Sequence, residues 1–366
     1  MPSVVYLCEY GTIYGGENSM LSGLAELKAR GFEVAVACPP DSPLAAQVVS
    51  LGFAHRPVVW TDESGRRKPL EVLRDELRQH TADWQVDLVH ANSLSVARIL
   101  GPVERPAGSK FVGHLRDIIK LNRRVVADIS RLDEIYCVST ATRDFHLAQG
   151  LSAENSCVLH NGIDLAKFSP PAERPDRLPL RLVYIGQLVM RKGVDVLLEG
   201  VRLAIAQGAD VTLDLYGECH SAKQEAQHYL ADLHRSGQTG ELAGRVGFRG
   251  RTDDAATVLR QADVLVHAAR QEPWGRVLLE AAACGLPIVA TAVGGTREMF
   301  PAGECLLVPP DDPPGIAAAL GKLSASYALR KKLGLQARQR MEQLGVSGYA
   351  DKLVARYQNV LRSPAK

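Results

Sequence analysis

Residues 263–291, DVLVHAARQEPWGRVLLEAAACGLPIVAT, contain one complete unit of a parallel α/β sheet. The apolar run DVLVHA predicts a strand, RVLLEAAA predicts a helix, and LPIVAT predicts a second strand. Pro273 and Gly275 mark the start of the helix. A strand, a helix and a second strand in this order predict a βαβ crossover, so we expect an α/β protein with parallel strands.

The same alternation extends in both directions from this stretch. Predicted strands before the proline-rich segment 161–179 are SVVYLC, FEVAVAC, DLVHA, KFVGHL, EIYCVS and NSCVLH, and those after it are RLVYIG, VTLDLYG, VGFRG, DVLVHA and LPIVAT. Segment 161–179 lacks periodicity and reads as a linker. We therefore predict two Rossmann-like parallel-sheet domains, 1–170 and 171–345, with a helix at about 346–366 that packs back on the first.

The bulk composition excludes several classes of protein. A formal charge of +2 and a pI near 8.1 describe a balanced surface, which argues against nucleic acid as a partner. The seven cysteines are scattered without a C-x-x-C pair, so we expect reduced thiols and a cytoplasmic protein. The amino terminus lacks a secretory-signal pattern, and no run approaches the ~20 apolar residues of a membrane span.

Two loops that follow predicted strands have features suited to a phosphate. Gly15 and Gly16 precede a helix, where exposed N–H groups favour an anion; an ordinary strand-to-helix turn is the alternative. The G-x-G-x-x-G spacing of a nicotinamide site is absent. Arg191 and Lys192 follow RLVYIG, where two cations can grip a diphosphate or lie in solvent as surface charge.

The helix start within residues 263–291 carries a pair of carboxylates. Glu272 lies before the helix and Glu280 in its second turn, so both can face a polar ligand. A phosphate held by the N–H groups of Gly275, Arg276 and Val277 would lie between them. Each glutamate can then accept hydrogen bonds from vicinal hydroxyls, although two glutamates on a helix are more often surface residues.

The end of a further predicted strand in the second half of the chain has a similar pattern. Arg249, Gly250 and Arg251 lie at the carboxyl end of the predicted strand VGFRG, a position from which the backbone can meet the edge of a base.

Several ordered motifs resemble a known family. They are GQLVMRKG (186–193), EPWGRVLLEAAACGLP (272–287) and AVGGTRE (292–298), together with the glycine pair of the first loop and NGIDLAKF (161–168). Together they resemble the retaining nucleotide-sugar glycosyltransferases of family 4 over nearly the whole chain. The resemblance implies the GT-B fold, in which two Rossmann-like domains face one another across a cleft.

The resemblance implies roles for the donor-binding residues. Glu280 would bind the ribose hydroxyls, Glu272 the hydroxyls of the transferred sugar, and Lys192 the diphosphate. Gln187 stands where the family has an arginine, and Arg191 is the neighbouring cation that can supply the charge.

The resemblance also assigns residues of the first domain. His114, at the end of KFVGHL, matches the active-site histidine of the family, and Gly16 would lie under the diphosphate from the opposite domain. Arg116 and Asp117 are expected to orient His114 or to contact the acceptor, and His90 is a weaker candidate. A lone histidine at a strand end is otherwise more often a packed or surface residue.

The acidic residues give an expectation about metals. No two aspartates are separated by one residue, so the D-x-D metal bridge of another glycosyltransferase class is missing. We expect neither a metal nor a cofactor, with the diphosphate neutralised by Lys192, Arg191 and helix N-termini. We also expect Lys192 to be a solvated loop residue whose removal leaves the fold intact. Glu298 resembles a family position behind the sugar, with helix capping as the alternative.

The function implied is transfer of a hexose, with retention, from a nucleotide diphosphate sugar to an acceptor hydroxyl in glycan, glycolipid or polysaccharide biosynthesis. The acceptor would be a saccharide or a lipid-linked molecule. A sugar-nucleotide 2-epimerase and a non-catalytic nucleotide-sugar-binding protein stay open as alternatives.

Segment 114–132 is predicted to be an amphipathic helix beside the acceptor, with peripheral contact at the inner face of a membrane as the alternative.

Overall fold

The computed structural model describes residues 1–364, which divide into two compact units. The first unit contains residues 1–162 and 346–364, and the second contains residues 163–345. The boundary that we predicted near residue 170 therefore lies inside the second unit.

The first unit is built on a parallel sheet with helices on both faces. Its strands are β1 (Ser3–Leu7), β2 (Glu33–Cys38), β3 (Ala54–Pro57), β4 (Leu88–Ala91), β5 (Lys110–Leu115), β6 (Glu134–Cys137) and β7 (Ser156–Val158). Its first six helices are α1 (Gly15–Ala29), α2 (Pro43–Ser50), α3 (Leu70–Trp84), α4 (Leu94–Leu100), α5 (Arg123–Ser130) and α6 (Thr140–Leu147). Within the described residues the strand order is β3-β2-β1-β4-β5-β6-β7, and neighbouring strands run parallel.

The second unit repeats this architecture with different helices. Its strands are β8 (Leu180–Ile185), β9 (Val211–Tyr216), β10 (Val246–Gly250), β11 (Val264–His267), β12 (Ile288–Thr291) and β13 (Leu306–Val308). Its helices are α7 (Val194–Ala206), α8 (Gln224–Gly237), α9 (Ala255–Gln261), α10 (Arg276–Ala283), α11 (Thr296–Met299), α12 (Pro313–Ala325) and α13 (Tyr327–Glu342). In the part of the chain that is described, the order is β10-β9-β8-β11-β12-β13, again parallel.

The last helix, α14 (Val346–Arg362), packs on the first unit and against α1. The two faces of the first sheet have separate cores, because side chains alternate along each strand. Val5 and Leu7 of β1 face one core, while Val4 and Tyr6 face the other. Tyr357 of α14 lies in this second core and is fully buried, so the second core depends on a helix that comes last in the chain.

The strand orders fix where a ligand can bind in each unit. The order reverses direction at β1 and β4 in the first sheet and at β8 and β11 in the second. Open parallel sheets bind ligands beyond the carboxyl ends of their strands at such a switch point. The prediction of two Rossmann-like parallel-sheet domains is thus confirmed, and the loops that follow these four strands are the expected ligand-binding positions.

Segment 114–132 does not form the amphipathic helix that we predicted. Strand β5 continues to Leu115, residues 116–122 are irregular, and helix α5 begins only at Arg123. The side chain of Asn122 caps this helix by accepting a hydrogen bond from the backbone N–H of Val125 at 2.9 Å.

Candidate active site

The loop that starts α10 depends on one glycine. Gly275 precedes the helix with φ at 86°, in the left-handed region. A Cβ atom there would lie 2.7 Å from Cδ1 of Leu278 and 3.2 Å from Cγ of Glu272. Only glycine accepts this backbone and this contact without strain. The turn therefore places Glu272 against the start of α10, as the PWG sequence indicated.

Glu272 is a buried carboxylate with two hydrogen-bond donors on one oxygen. Glu272 is only 5% exposed. Oε2 accepts from Nζ of Lys192 at 2.5 Å and from Nε2 of His267 at 2.8 Å. Burial by itself would raise the pKa of Glu272, but the charge of Lys192 and the hydrogen bond from His267 outweigh it and hold the pKa well below its usual range. Glu272 is therefore ionised.

Lys192 reaches Glu272 because the loops after β8 and β11 are pressed together. Gly193, with φ at 62°, lies so close to the next strand that a Cβ atom would sit 2.0 Å from the carbonyl oxygen of Ala268. The N–H of Arg270 donates to the carbonyl of Arg191 at 2.9 Å. The expectation of a solvated Lys192 is wrong, because its side chain is only 13% exposed and forms a buried ion pair.

Glu280 lies in the second turn of α10 and has a different environment. It is 8% exposed and accepts a hydrogen bond from Nε of Arg276, one turn earlier, at 2.8 Å. Burial raises the pKa of Glu280, and the charge of Arg276 offsets this only in part. The two glutamates of the motif therefore differ in their electrostatics although both are buried. Val277 follows Arg276 in the first turn.

The other predicted donor residues of the second unit fall into two groups. Gln187 and Arg191 lie together after β8, where Nη2 of Arg191 donates to Oε1 of Gln187 at 3.0 Å. Arg249 and Gly250 lie at the end of β10, where Nε of Arg249 donates to the Asp214 carboxylate at 2.7 Å. No contact within residues 1–364 joins Arg249 to the Lys192–Glu272 pair.

In the first unit, Arg116 occupies the switch point. Its Nε and Nη2 atoms donate to the backbone and side-chain oxygens of Asn92 at 3.2 and 3.1 Å, and Nη1 donates to Oδ1 of Asn161 at 2.7 Å. A Cβ atom on Gly16, at the start of α1, would lie 3.3 Å from Cδ of Arg116. The described residues place no carboxylate within ion-pair distance of Arg116. A Cβ atom on Gly15 would have no neighbouring atom within 4 Å.

His114 lies beneath Arg116 and is fully buried. Its Nδ1 atom is 3.1 Å from Nη2 of Arg116, and its ring lies 5.7 Å from that of His90. Burial, reinforced by the charge of Arg116, lowers the pKa of His114 well below its ordinary value, so the ring is neutral and accepts this hydrogen bond. Asp117 is exposed, and its backbone carbonyl accepts from Nε2 of His146 at 2.9 Å. The structure thus presents Arg116 at the end of β5, with His114 behind it.

Three residues that hold the predicted site together were missed by the sequence reading. His267 ends β11 and supports Glu272, while Asn92 and Asn161 hold Arg116. Each lies at or just beyond the carboxyl end of a strand or the start of a connecting loop. Polar residues at those positions were the available signal, but HANS and HNGI are also ordinary turn sequences.

The part of the chain that the structure describes lacks both a metal-binding cluster and a membrane-spanning helix. Within residues 1–364, no three or more His, Cys, Asp or Glu side chains are grouped so that they could hold a metal ion. No helix in the same residues is both long enough and apolar enough to cross a membrane.

Known proteins resemble this chain in sequence over most of its length. Residues 13–167 match the model "Glycosyltransferase Family 4", and residues 179–326 match "Glycosyl transferases group 1". A phosphatidyl-myo-inositol mannosyltransferase of Mycobacterium tuberculosis is 30% identical over 86% of this chain and 84% of its own length. A glycogen synthase of the same species is 27% identical over 79% of this chain and 72% of its own length.

A solved structure extends the comparison to the fold. The Anabaena protein HepE, crystallised with UDP and glucose, is 20% identical, with a TM-score of 0.84 over 97% of this chain and 99% of that one. At this identity the likeness concerns the fold, which is the GT-B class. From the motifs, the two matched family models and the similarity to the mannosyltransferase, we conclude that the chain belongs to glycosyltransferase family 4 and is a transferase that uses nucleotide sugars.

Proposed function

We propose that this glycosyltransferase moves a hexose from a nucleotide diphosphate sugar to an acceptor hydroxyl, with retention of anomeric configuration and without a metal ion. The acceptor is a saccharide or a lipid-linked molecule, and the product belongs to glycan, glycolipid or polysaccharide biosynthesis. Relatives named as a glycogen synthase and a phosphatidyl-myo-inositol mannosyltransferase support both kinds of acceptor.

One observation carries the proposal: the ionised carboxylate of Glu272 is held at the switch point with one oxygen fully engaged. Both described hydrogen bonds fall on Oε2, and within residues 1–364 no hydrogen bond reaches Oε1. A carboxylate with a strongly lowered pKa is a weak base and a weak nucleophile. It is suited to accept hydrogen bonds from sugar hydroxyls, so its contribution is orientation of the donor, a role that can supply several kcal/mol of barrier reduction.

Retention then follows a path that needs no enzyme nucleophile. The bond between the anomeric carbon and the phosphate oxygen stretches towards an oxocarbenium-like state. The departing phosphate, on the same face of the sugar, takes the proton of the acceptor hydroxyl as that oxygen bonds to the anomeric carbon. Products are the glycoside and a nucleoside diphosphate, so protons and charge balance. Glu280 is assigned to the ribose hydroxyls.

The developing charge on the diphosphate is met by this chain's own groups. Lys192 supplies an ammonium, Arg191 a guanidinium, and the N–H groups of Gly275, Arg276 and Val277 the positive end of α10. In the free protein Lys192 is paired with Glu272, so a diphosphate has to share that ammonium. The absence of a D-x-D pair in the sequence supports transfer without a divalent ion.

Peripheral contact with an anionic membrane is part of the proposal for a lipid-linked acceptor. Ile119 and Arg124 are 47% and 72% exposed, and Lys120 and Arg123 beside them are also exposed. An exposed apolar residue among cations suits the cytoplasmic leaflet, which is anionic. Flotation with phosphatidylserine-containing vesicles should carry the protein, and equal flotation with neutral vesicles, or none with either, would oppose this assignment.

Donor turnover with and without acceptor tests the function. UDP-glucose, GDP-mannose and ADP-glucose are each incubated with the protein, with EDTA, and with either a glucan oligosaccharide or phosphatidylinositol vesicles. We expect one donor to release its nucleoside diphosphate rapidly only when acceptor is present, with EDTA having no effect and NMR showing the donor's own anomeric configuration in the product. Conversion of a donor alone to an epimer would support the epimerase, and binding without any turnover would support the non-catalytic protein.

A further inference from the structure

His267 is a buried residue of the candidate site that lies outside the sequence motifs quoted above. It is the last residue of β11 and is 1% exposed. Its ring stacks on that of Tyr184 in β8, with 6.4 Å between centroids and 12° between planes. The hydroxyl of Tyr184 in turn donates to the backbone carbonyl of Gln187 at 2.8 Å. The ring is therefore fixed by the two strands that flank the switch point.

The partner of His267 fixes where its proton lies. Burial lowers the pKa of His267 in spite of the neighbouring Glu272 carboxylate, so the ring is neutral and carries one proton. An ionised carboxylate can only accept, and the 2.8 Å contact to Oε2 of Glu272 therefore requires that proton on Nε2. Nδ1 has no hydrogen-bond partner within residues 1–364. With the proton on Nε2, Nδ1 is an unprotonated nitrogen, so no charged N–H group is left unpaired in the interior.

The two residues that donate hydrogen bonds to Glu272 should respond differently when the sugar nucleotide binds. Lys192 is the residue proposed to contact the diphosphate, an anion that would compete with Oε2 of Glu272 for its ammonium. His267 belongs to a central strand and is only 1% exposed. It is therefore the donor that can stay on Oε2 throughout the reaction and keep Oε1 directed at the sugar.

We propose that His267 is a positioning residue: its Nε2–H holds the Glu272 carboxylate in place while Lys192 is drawn to the donor diphosphate. The inference rests on the proposed function, because it takes from it the roles of Glu272 and Lys192. It adds that the glutamate of this chain works as half of a histidine–glutamate pair. A displacement of the order of 1 Å in a positioning group can cost about 10²-fold in rate.

The test compares two amides at the same position. His267→Gln can bring an amide N–H to the place of Nε2, whereas His267→Asn is too short to reach Glu272. The donor among UDP-glucose, GDP-mannose and ADP-glucose that the wild type turns over is used for kinetics, and the matching free UDP, GDP or ADP is used for calorimetry. We expect the Asn variant to lose about 10- to 100-fold in kcat with a smaller change in KM, and the Gln variant to stay within about threefold of wild type.

Calorimetry separates positioning from a general structural effect. Because the free nucleoside diphosphate has no sugar for Glu272 to hold, its affinity should be equal in wild type and both variants, and melting temperatures should match between the two amides. Equal activity of the Gln and Asn variants, whether both high or both low, would overturn the inference. So would loss of affinity for the free nucleoside diphosphate in step with the loss of rate.

A Glu272→Gln variant distinguishes this inference from the proposed function. If Glu272→Gln is inactive and His267→Asn is as active as wild type, only the role of His267 fails. If Glu272→Gln is fully active, or the wild type turns over no donor, the proposed function fails and the inference fails with it.

Discussion

The switch points of the two sheets hold their cations in opposite ways. In the second unit Lys192 is matched to the carboxylate of Glu272, so the buried cluster is close to neutral before any ligand arrives. In the first unit Arg116 is held by amide oxygens of Asn92 and Asn161 and by the neutral ring of His114. Its charge is not balanced by any carboxylate among the described residues.

This difference indicates how each unit can respond to an anion. An anion that binds Lys192 has to replace or share Glu272 as its partner. The affinity for the anion therefore depends on the difference between two strong interactions, one with the anion and one with Glu272. Binding near Arg116 adds a first counter-charge to a guanidinium that is already oriented. Substitutions that break a matched pair should therefore cost more stability than substitutions that remove an unmatched cation.

The largest loss of stability is expected for Lys192→Met, which keeps the apolar stem of the side chain and removes its charge. It leaves Glu272 buried with only a neutral histidine, and breaking a buried pair in this way costs about 3–5 kcal/mol. Thermal melting of the full chain should show a fall of many degrees. Lys192→Met with Glu272→Gln should recover much of the loss, because no unpaired charge remains. An unchanged melting temperature in the single variant would show that the pair does not exist in solution.

A smaller effect is expected for Arg116→Gln. The substitution removes hydrogen bonds to the oxygens of Asn92 and Asn161 but leaves no buried charge behind, so the cost should be about 1–3 kcal/mol. The same melting measurement compares it directly with Lys192→Met. If Arg116→Gln destabilises the protein more than Lys192→Met does, the contrast between the two sites is wrong.

The smallest effect concerns pH and separates the two glutamates of the second unit. The pKa of Glu272 is lowered in the folded protein. The contribution of Glu272 to the free energy of unfolding is therefore complete above the ordinary carboxyl pKa and is lost as pH falls towards the pKa of the folded state. The pKa of Glu280 is raised, so its folded form binds a proton more readily, and its contribution declines as pH rises above the ordinary carboxyl value.

Melting curves as a function of pH check these signs against the glutamine variants. Relative to Glu272→Gln, the wild type should lose stability towards acid. Relative to Glu280→Gln, it should lose stability on going from acid to neutral pH. The same slope for both comparisons would contradict the two environments described for these carboxylates.

Much of the fold could be predicted because aliphatic runs alternate with helix-length segments. The strands that were missed are β3 (Ala54–Pro57) and β13 (Leu306–Val308), which are short and lie at sheet edges. Composition does not reveal β3, because AHRP contains no β-branched residue. Strand β13 has only three residues, which are too few to show a periodicity. The spacing of charged and apolar residues in segment 114–132 predicts one helix, but residues 116–122 are irregular and the cap at Asn122 starts α5 at Arg123.

The candidate site was predictable in its residues but less so in its contacts. The E-P-W-G motif located Glu272 and the helix start, because a glycine with positive φ leaves a visible sequence signal. The burial of Lys192 was not visible, since it depends on the close approach of Gly193 to Ala268 from another strand. The active-site role of His114 stays a prediction; its complete burial and its contact with Arg116 were not visible in the sequence, because they depend on how neighbouring strands and loops pack.

The contribution of α14 to the core of the first unit has a consequence for synthesis and for shortened chains. The amino-terminal sheet is translated first, but the face that carries Tyr6 stays without Tyr357 until the carboxyl-terminal residues have left the ribosome. A stop codon after residue 345 would therefore damage the half of the protein furthest from it in sequence. To produce the first unit by itself, residues 163–345 should be replaced by a short loop, rather than the chain being cut at residue 162.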